Sequence, residues 1–216
     1  MTDVVVFGTG DAAQLMKFYF EWAGEHRVVG FTVDADRLNM ERFENCPVVP
    51  WEDLERHFPP DRVQLFAPIS SAKLNTVRQK RFLDGRSRGY RFVRFVHPRA
   101  SYYGTPVGEN SLVLEASYIH PFSTIGDNVM LWGGVVGHHA RIEDHCFLTS
   151  AIVMAKTTLG QRCFVSSSEI INGVSIGEAC VIARNAFVTR SLPANTVVVG
   201  AASEVLKVPS HRLRGV

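Results

Sequence analysis

The chain has 216 residues, 46% hydrophobic and 20% charged, with a formal net charge of +2. That balance suits a water-soluble chain of one large or two small domains and demands no strongly charged partner. No apolar run reaches the ~18 residues of a membrane span, and the amino terminus enters a strand-like VVVFG rather than a cleavable leader, so a cytoplasmic protein without membrane association is expected.

Asp3 to Gly10, DVVVFGTG, is an apolar run ending in a Gly-x-Gly turn. DAAQLMKFYFEWAG then predicts a helix closing on Gly24, and HRVVGFTVDAD a second strand whose end carries Asp34 and Asp36. RVQLFAPI reads as a third strand, SSAKLNTVRQKRFLDG as a helix capped by Ser70 or Ser71, and RFVRFVHP as a fourth strand ending at His97-Pro98. Strands alternating with helices imply a parallel sheet with right-handed crossovers. The first unit is therefore expected to be a small Rossmann-like α/β domain over residues 1–98. Arg78, Lys80, Arg81, Arg86, Arg88, Arg91, Arg94 and Arg99 cluster in its second half. They read as a solvated helix and strand in preference to a nucleic-acid surface.

Gly8-Thr9-Gly10-Asp11-Ala12-Ala13 is a G-x-G-x-x-A turn between strand and helix. The first glycine allows the tight turn, the second lets a phosphate approach the backbone, and the helix start supplies amide donors. A domain of this length holds only one mononucleotide-binding half, which favours a nucleoside-diphosphate ligand over a dinucleotide. Gly8, Thr9, Gly10, Asp34, Asp36 and Ser70 are the candidate substrate contacts. Asp11 is a local objection, because a carboxylate beside a phosphate cradle repels an anion unless it turns away.

From Val107 the apolar residues fall on a grid. Val107, Val113, Ile119, Ile125 and Leu131 are six apart, and Ile142, Leu148, Met154, Leu159, Val165, Ile171, Ile176, Ile182 and Val188 continue in steps of six and five. That spacing is a β-solenoid of hexapeptides with one inward aliphatic residue per short strand. A longer beat of 17 links Ile125, Ile142, Leu159 and Ile176, and also Val129, Cys146, Cys163 and Cys180. The last three are expected to stack as small hydrophobes in the core and to be neither metal ligands nor nucleophiles. The domain is expected to span residues 99–216, with SEVLKVPSHRLRGV as a carboxy-terminal cap or a contact to a phosphate.

Three histidines, His138, His139 and His145, fall within VVGHHARIEDHCF. The arrangement resembles the sialic-acid and bacillosamine-type nucleotide-sugar acetyltransferases of the left-handed β-helix superfamily. The glycine-turn domain resembles their nucleotide-sugar-binding domain and RFVHPRAS the junction between domains. VGHHARIEDHCFL resembles the catalytic hexapeptide, and SLPANTVVVGAAS the closing segment. The resemblance implies a left-handed parallel β-helix, a homotrimer with active sites between subunits, and acetyl-CoA as co-substrate without a metal. It also implies transfer of the acetyl group to an amino group of a nucleotide-linked sugar, with His138 as general base. Relatives carry an acidic residue directly after this histidine, whereas this chain has His139. Glu143 or Asp144 in the same coil could then orient His138; alternatively the base works without a carboxylate, or the acceptor differs from the usual amine. His138, His139 and Glu143 are the candidate catalytic residues. Other implied readings are O-acetylation of a sugar hydroxyl and a non-catalytic sugar-nucleotide-binding β-helix.

Preceding the inward Cys146, His145 is expected to point outward into solvent. His120 lies 18 residues before His138, nearly one coil, so the two could stack. The left-handed β-helix carbonic anhydrases resemble this fold and hold zinc on three histidines shared between subunits, but they lack a leading α/β domain, and the metal reading is the disfavoured one. A zinc site would need a third histidine from a neighbouring subunit. Ala155, Lys156, Gly173 and Arg190 share a corner with His139 and are the candidate contacts to CoA.

Overall fold

The computed structural model describes residues 1–202 and residue 212, so the expected carboxy-terminal cap, apart from residue 212, lies outside the described residues. The chain opens with β1 (Thr2–Phe7), α1 (Asp11–Ala23), β2 (His26–Val33), β3 (Arg42–Phe43), β4 (Cys46–Pro50), α2 (Leu54–His57), β5 (Gln64–Phe66) and α3 (Thr76–Ser87). The strand order is β3-β4-β2-β1-β5, parallel except for the β3–β4 hairpin. Val4, Val5 and Val6 in β1 are fully buried, as in a parallel sheet covered on both faces. Val4 and Val6 pack with Ala13, Met16 and Phe20 of α1, while Val5 packs with Trp51, Leu54 and Phe82 on the opposite face. Helix α1 stops where Gly24 takes φ 73° and donates its N–H to the Glu21 carbonyl.

Three features depart from the sequence reading. Strands β3 and β4 were not foreseen, because CPVVP is five residues long and bracketed by turn formers. Helix α3 starts at Thr76, not at Ser70 or Ser71, since Lys73, Leu74 and Asn75 all take positive φ. RFVRFVHP is divided: Phe92 bridges Leu65 of the first sheet, whereas Phe95–Val96 pairs with Leu112–Val113 of the second domain. This segment thus joins the two hydrogen-bonded systems.

The second domain is a three-sided parallel β-solenoid. One side stacks Thr124–Ile125, Arg141–Ile142, Thr158–Leu159 and Ser175–Ile176 in register, which is the 17-residue beat. A second side pairs Met130 with Phe147, Phe147 with Phe164 and Phe164 with Val181. A third pairs Tyr118 with Val135, Val135 with Ile152, Ile152 with Glu169 and Glu169 with Phe187. Each corner is a column of left-handed residues. Asn110, Asn128, His145, Arg162 and Ala179 form one, Ala116, Gly133, Ser150 and Ser167 another, and Phe122, His139, Lys156 and Gly173 the third.

The core holds the expected grid residues except Met154 and Ile171, in whose place Val153 and Ile170 are fully buried. The coil turns one residue earlier there. Cys146, Cys163 and Cys180 stack inward with free thiols, and their Sγ atoms face the carbonyls of Gly160, Gly177 and Pro193 at 3.1, 3.1 and 3.2 Å. Burial pushes the Cys146 and Cys180 thiols above their ordinary range, while the hydrogen bond with Cys146 holds Cys163 below its own. All three are fully buried in the core, which suits packing rather than nucleophilic chemistry.

The two domains share a core. Leu112, Leu114 and Met130 project outward from the solenoid into the cluster that contains Phe20, Phe31 and Phe66. Arg78 of α3 is fully buried against the first corner column. Its guanidinium donates to the carbonyls of Asn128, His145 and Cys146 and to those of Ile69 and Ser70. Burial lowers its pKa to about 10, so it stays charged at neutral pH, held by carbonyl dipoles. Asn75 donates to the carbonyls of Arg162 and Cys163 on the same column, which accounts for the bent entry to α3.

Candidate active site

The Gly137–Ala140 turn builds one corner of the solenoid. Ala140 N–H donates to the Gly137 carbonyl at 3.1 Å, leaving His138 and His139 as the two central residues. A Cβ on residue 137 would lie 2.4 Å from the backbone nitrogen of Ala155, so only glycine lets adjacent coils close here. Both imidazoles are exposed. Their Nδ1 atoms are 3.0 Å apart and their ring planes nearly perpendicular, at 88°. His139 has φ 59° and its ring lies against Phe122, with centroids 5.0 Å apart.

Lys156 N–H donates to the His138 carbonyl and Gly173 N–H to the Ala155 carbonyl, each at 3.0 Å. Ala155, Lys156 and Gly173 therefore continue the histidine corner coil by coil, and exposed Arg190 follows in the same corner of a later coil. The expected vertical row is present. The orienting role given to Glu143 is not supported. Glu143 lies beyond the Arg141–Ile142 strand, in the turn that carries His145, and makes no hydrogen bond to His138. Asp144 is committed elsewhere, with Oδ1 accepting the Asp127 N–H at 2.8 Å.

The other histidines are also reassigned. His145 is buried, not exposed: it does point out of the coil, but the α/β domain covers that corner. Its Nδ1 lies 2.8 Å from Asn128 Nδ2, and its ring packs against Phe82. Burial lowers its pKa, with Asp144 opposing the shift. His120 does not stack on His138. Its N–H donates to the Val136 carbonyl while that of Gly137 donates to Val153, so His120 is the counterpart of Gly137. Among the described residues no group of three or more His, Cys, Asp or Glu is placed to hold a metal ion, and no helix is long and apolar enough to cross a membrane.

The glycine turn sits at the carboxyl edge of the first sheet, where open α/β sheets bind ligands. Gly8 has φ 105° and Gly10 leads into α1 without any side-chain cap. A Cβ on Gly10 would meet nothing within 4 Å, so the missing side chain leaves the helix start open. Asp11 turns away, lining a groove on the outer side of α1 with Lys17, Phe18 and Glu44. Asp34 and Asp36 lie at the end of β2 on the same edge, with Asp34 paired to Arg81. That guanidinium stacks on Phe7 and Trp51, 4.4 Å from each ring centroid. Ala12, Pro68, Ile69 and Ser70 face Met130, Trp132, Phe147 and Thr149 of the solenoid across a cleft of about 180 Å³. Ser70 is thus brought to the candidate cleft although it caps no helix. The sequence reading missed the solenoid wall of this cleft, since the 17-residue beat that Met130 and Phe147 keep does not say what an outward residue faces.

A family profile described as the hexapeptide repeat of succinyl-transferase matches residues 156–190. No curated protein matches the sequence. Among solved structures, a histidine-to-asparagine variant of perosamine N-acetyltransferase from Caulobacter crescentus, in complex with CoA and GDP-perosamine, superimposes with a TM-score of 0.81. It has 26% sequence identity, over 93% of this chain and 94% of that one. The acetyltransferase domain of PglB from Neisseria gonorrhoeae superimposes with a TM-score of 0.80 at 16% identity, over 93% and 97% of the two chains. WeeI from Acinetobacter baumannii gives 0.62 at 18% identity, over 93% and 97%. In its hexapeptide repeat and in the fold of nearly its whole length, the chain is similar to the nucleotide-sugar acetyltransferase group that its sequence resembles.

Proposed function

We propose that this protein transfers an acetyl group from acetyl-CoA to an amino group of a sugar carried on a nucleoside diphosphate. The observation that carries the reading is the pairing, in one chain, of an exposed His138 at the Gly137 corner with an uncapped glycine turn and the neighbouring cleft lined by Ala12 and Ser70. The uncapped start of α1 offers amide donors to a pyrophosphate, with Gly8, Thr9 and Gly10 as the turn. Asp34, Asp36 and Ser70 border the nucleoside and sugar. Ala155, Lys156, Gly173 and Arg190 run along the corner as a track for CoA, with cations toward its phosphates. The perosamine N-acetyltransferase similarity, at 26% identity and with CoA and GDP-perosamine bound, supports the same assignment.

The chemistry needs one base. The unprotonated amine attacks the thioester carbonyl carbon while His138 Nε2 takes its proton, and the C–S bond breaks as the amide forms. The imidazolium then returns that proton to the departing thiolate. Positioning supplies most of the remaining acceleration.

The first domain is read as Rossmann-like and the solenoid as left-handed, the senses the resemblance implies. The active unit is read as a homotrimer acting in the cytoplasm. In one chain the cleft at Trp132 and the His138 corner are separated by the strand Gly134–Val136, which supports a site completed by a neighbouring copy. Tyr118, Val135, Ile152 and Phe187 on that same side form an outward column, apolar except for Glu169 between the last two, suited to burial between copies.

Incubation with acetyl-CoA and UDP-, GDP- and dTDP-linked amino sugars, following thiol release, tests the assignment. Turnover is expected with at least one amino sugar and is lost in His138→Asn. Turnover unchanged by that substitution overturns the role of His138, and acetylation confined to hydroxyl acceptors moves the protein to O-acetyl transfer.

A further inference from the structure

We infer that His139 is a positioning residue that orients His138 through an imidazole–imidazole hydrogen bond, doing for this chain what a carboxylate would otherwise do. The inference rests on the proposed role of His138 as base. The two Nδ1 atoms are 3.0 Å apart, so one carries the hydrogen and the other accepts it. The microstate that serves catalysis has His138 donating from Nδ1. Its Nε2 lone pair then faces outward, free to take a proton. When that proton arrives, His138 becomes an imidazolium whose Nδ1–H still points at a lone pair, so its positive charge meets an acceptor. In the opposite microstate His138 carries its hydrogen on Nε2 and has no lone pair to offer there.

The surroundings hold His139 for this task. It sits at the left-handed position of the turn, with φ 59°, which fixes where its side chain leaves the backbone. Phe122, one coil below at the same corner, lies against its ring at 5.0 Å. The carboxylates nearest in sequence are not available for the role: Asp144 is bonded to the backbone of Asp127, and Glu143 makes no hydrogen bond to His138. An acceptor without formal charge stabilises the imidazolium less than a carboxylate does, which matches an intrinsically nucleophilic amine better than a hydroxyl.

Two variants and one spectrum test this. His139→Asn keeps an oxygen acceptor on a residue tolerant of positive φ, and His139→Gly keeps the backbone relaxed but removes the acceptor. His139→Gly is expected to lower kcat about tenfold or more with KM for acetyl-CoA little changed, and His139→Asn to recover most of that loss. Long-range nitrogen–proton NMR of the uncomplexed protein is expected to show His138 protonated at Nδ1, and to show the Nε2–H form favoured by free histidine in His139→Gly. Equal kcat in all three proteins, or the Nε2–H form in the unsubstituted protein, overturns the inference. Full turnover in His138→Asn instead overturns the reading beneath it.

Discussion

Replacing Arg78 with methionine isolates the joint between the two domains. The guanidinium is fully buried and serves five carbonyls at 2.9–3.3 Å, three from the solenoid corner and two from the loop after β5. Methionine fills much of the volume and donates nothing, so the loss is the hydrogen bonding. Each bond from a charged donor contributes about 1.5–3 kcal/mol, but the set is not additive, and removing the charge also relieves its own burial cost. The net expectation is a destabilisation of about 2–4 kcal/mol, or roughly 5–15 °C in Tm for a chain of this size. Urea titrations followed by tryptophan fluorescence and circular dichroism measure it. Arg78→Lys is expected to recover less than half, because an ammonium is a point donor and cannot span five carbonyls. A stability of Arg78→Met within about 0.5 kcal/mol of the unsubstituted protein refutes the argument that this network holds the domains together.

Gly137→Ala forces a Cβ to 2.4 Å from the next coil, so a loss of about 1–3 kcal/mol is expected together with sharply reduced turnover, read by thermal melt and thiol release. His145 and His26 are held below the ordinary histidine pKa, first of all by burial. The unfolded chain then binds more protons below about pH 6.5, so stability is expected to fall as pH drops beneath that value. His145→Asn should flatten the slope in urea midpoints compared between pH 7.5 and 5.5; an unchanged slope rules His145 out as a source. For the proposed homotrimer, Ile152→Glu or Phe187→Glu on the outward column is expected to give a monomer in sedimentation and abolish turnover; an unaltered trimer removes that face from the interface, and a monomeric unsubstituted protein overturns the intersubunit site.

Local periodicity determined much of this protein. The 17-residue beat specified the coil register, because each inward residue must lie above the last to be buried, and Ile125, Ile142, Leu159 and Ile176 do pair in that order. It separated Cys146 from chemistry and placed His138 beside a glycine at a corner. The glycine turn, α1 and its Gly24 stop were equally legible, since φ preferences and helix caps are local. Tertiary structure alone decided what covers an outward residue. His145 obeys the repeat yet is buried, because the α/β domain closes over its corner, and Arg78, one of several basic residues in the sequence, is the one drawn fully into the joint. It also decided that His139 meets His138 while Glu143, in the same coil, does not, because a side chain's reach depends on which corner of the prism its backbone turns.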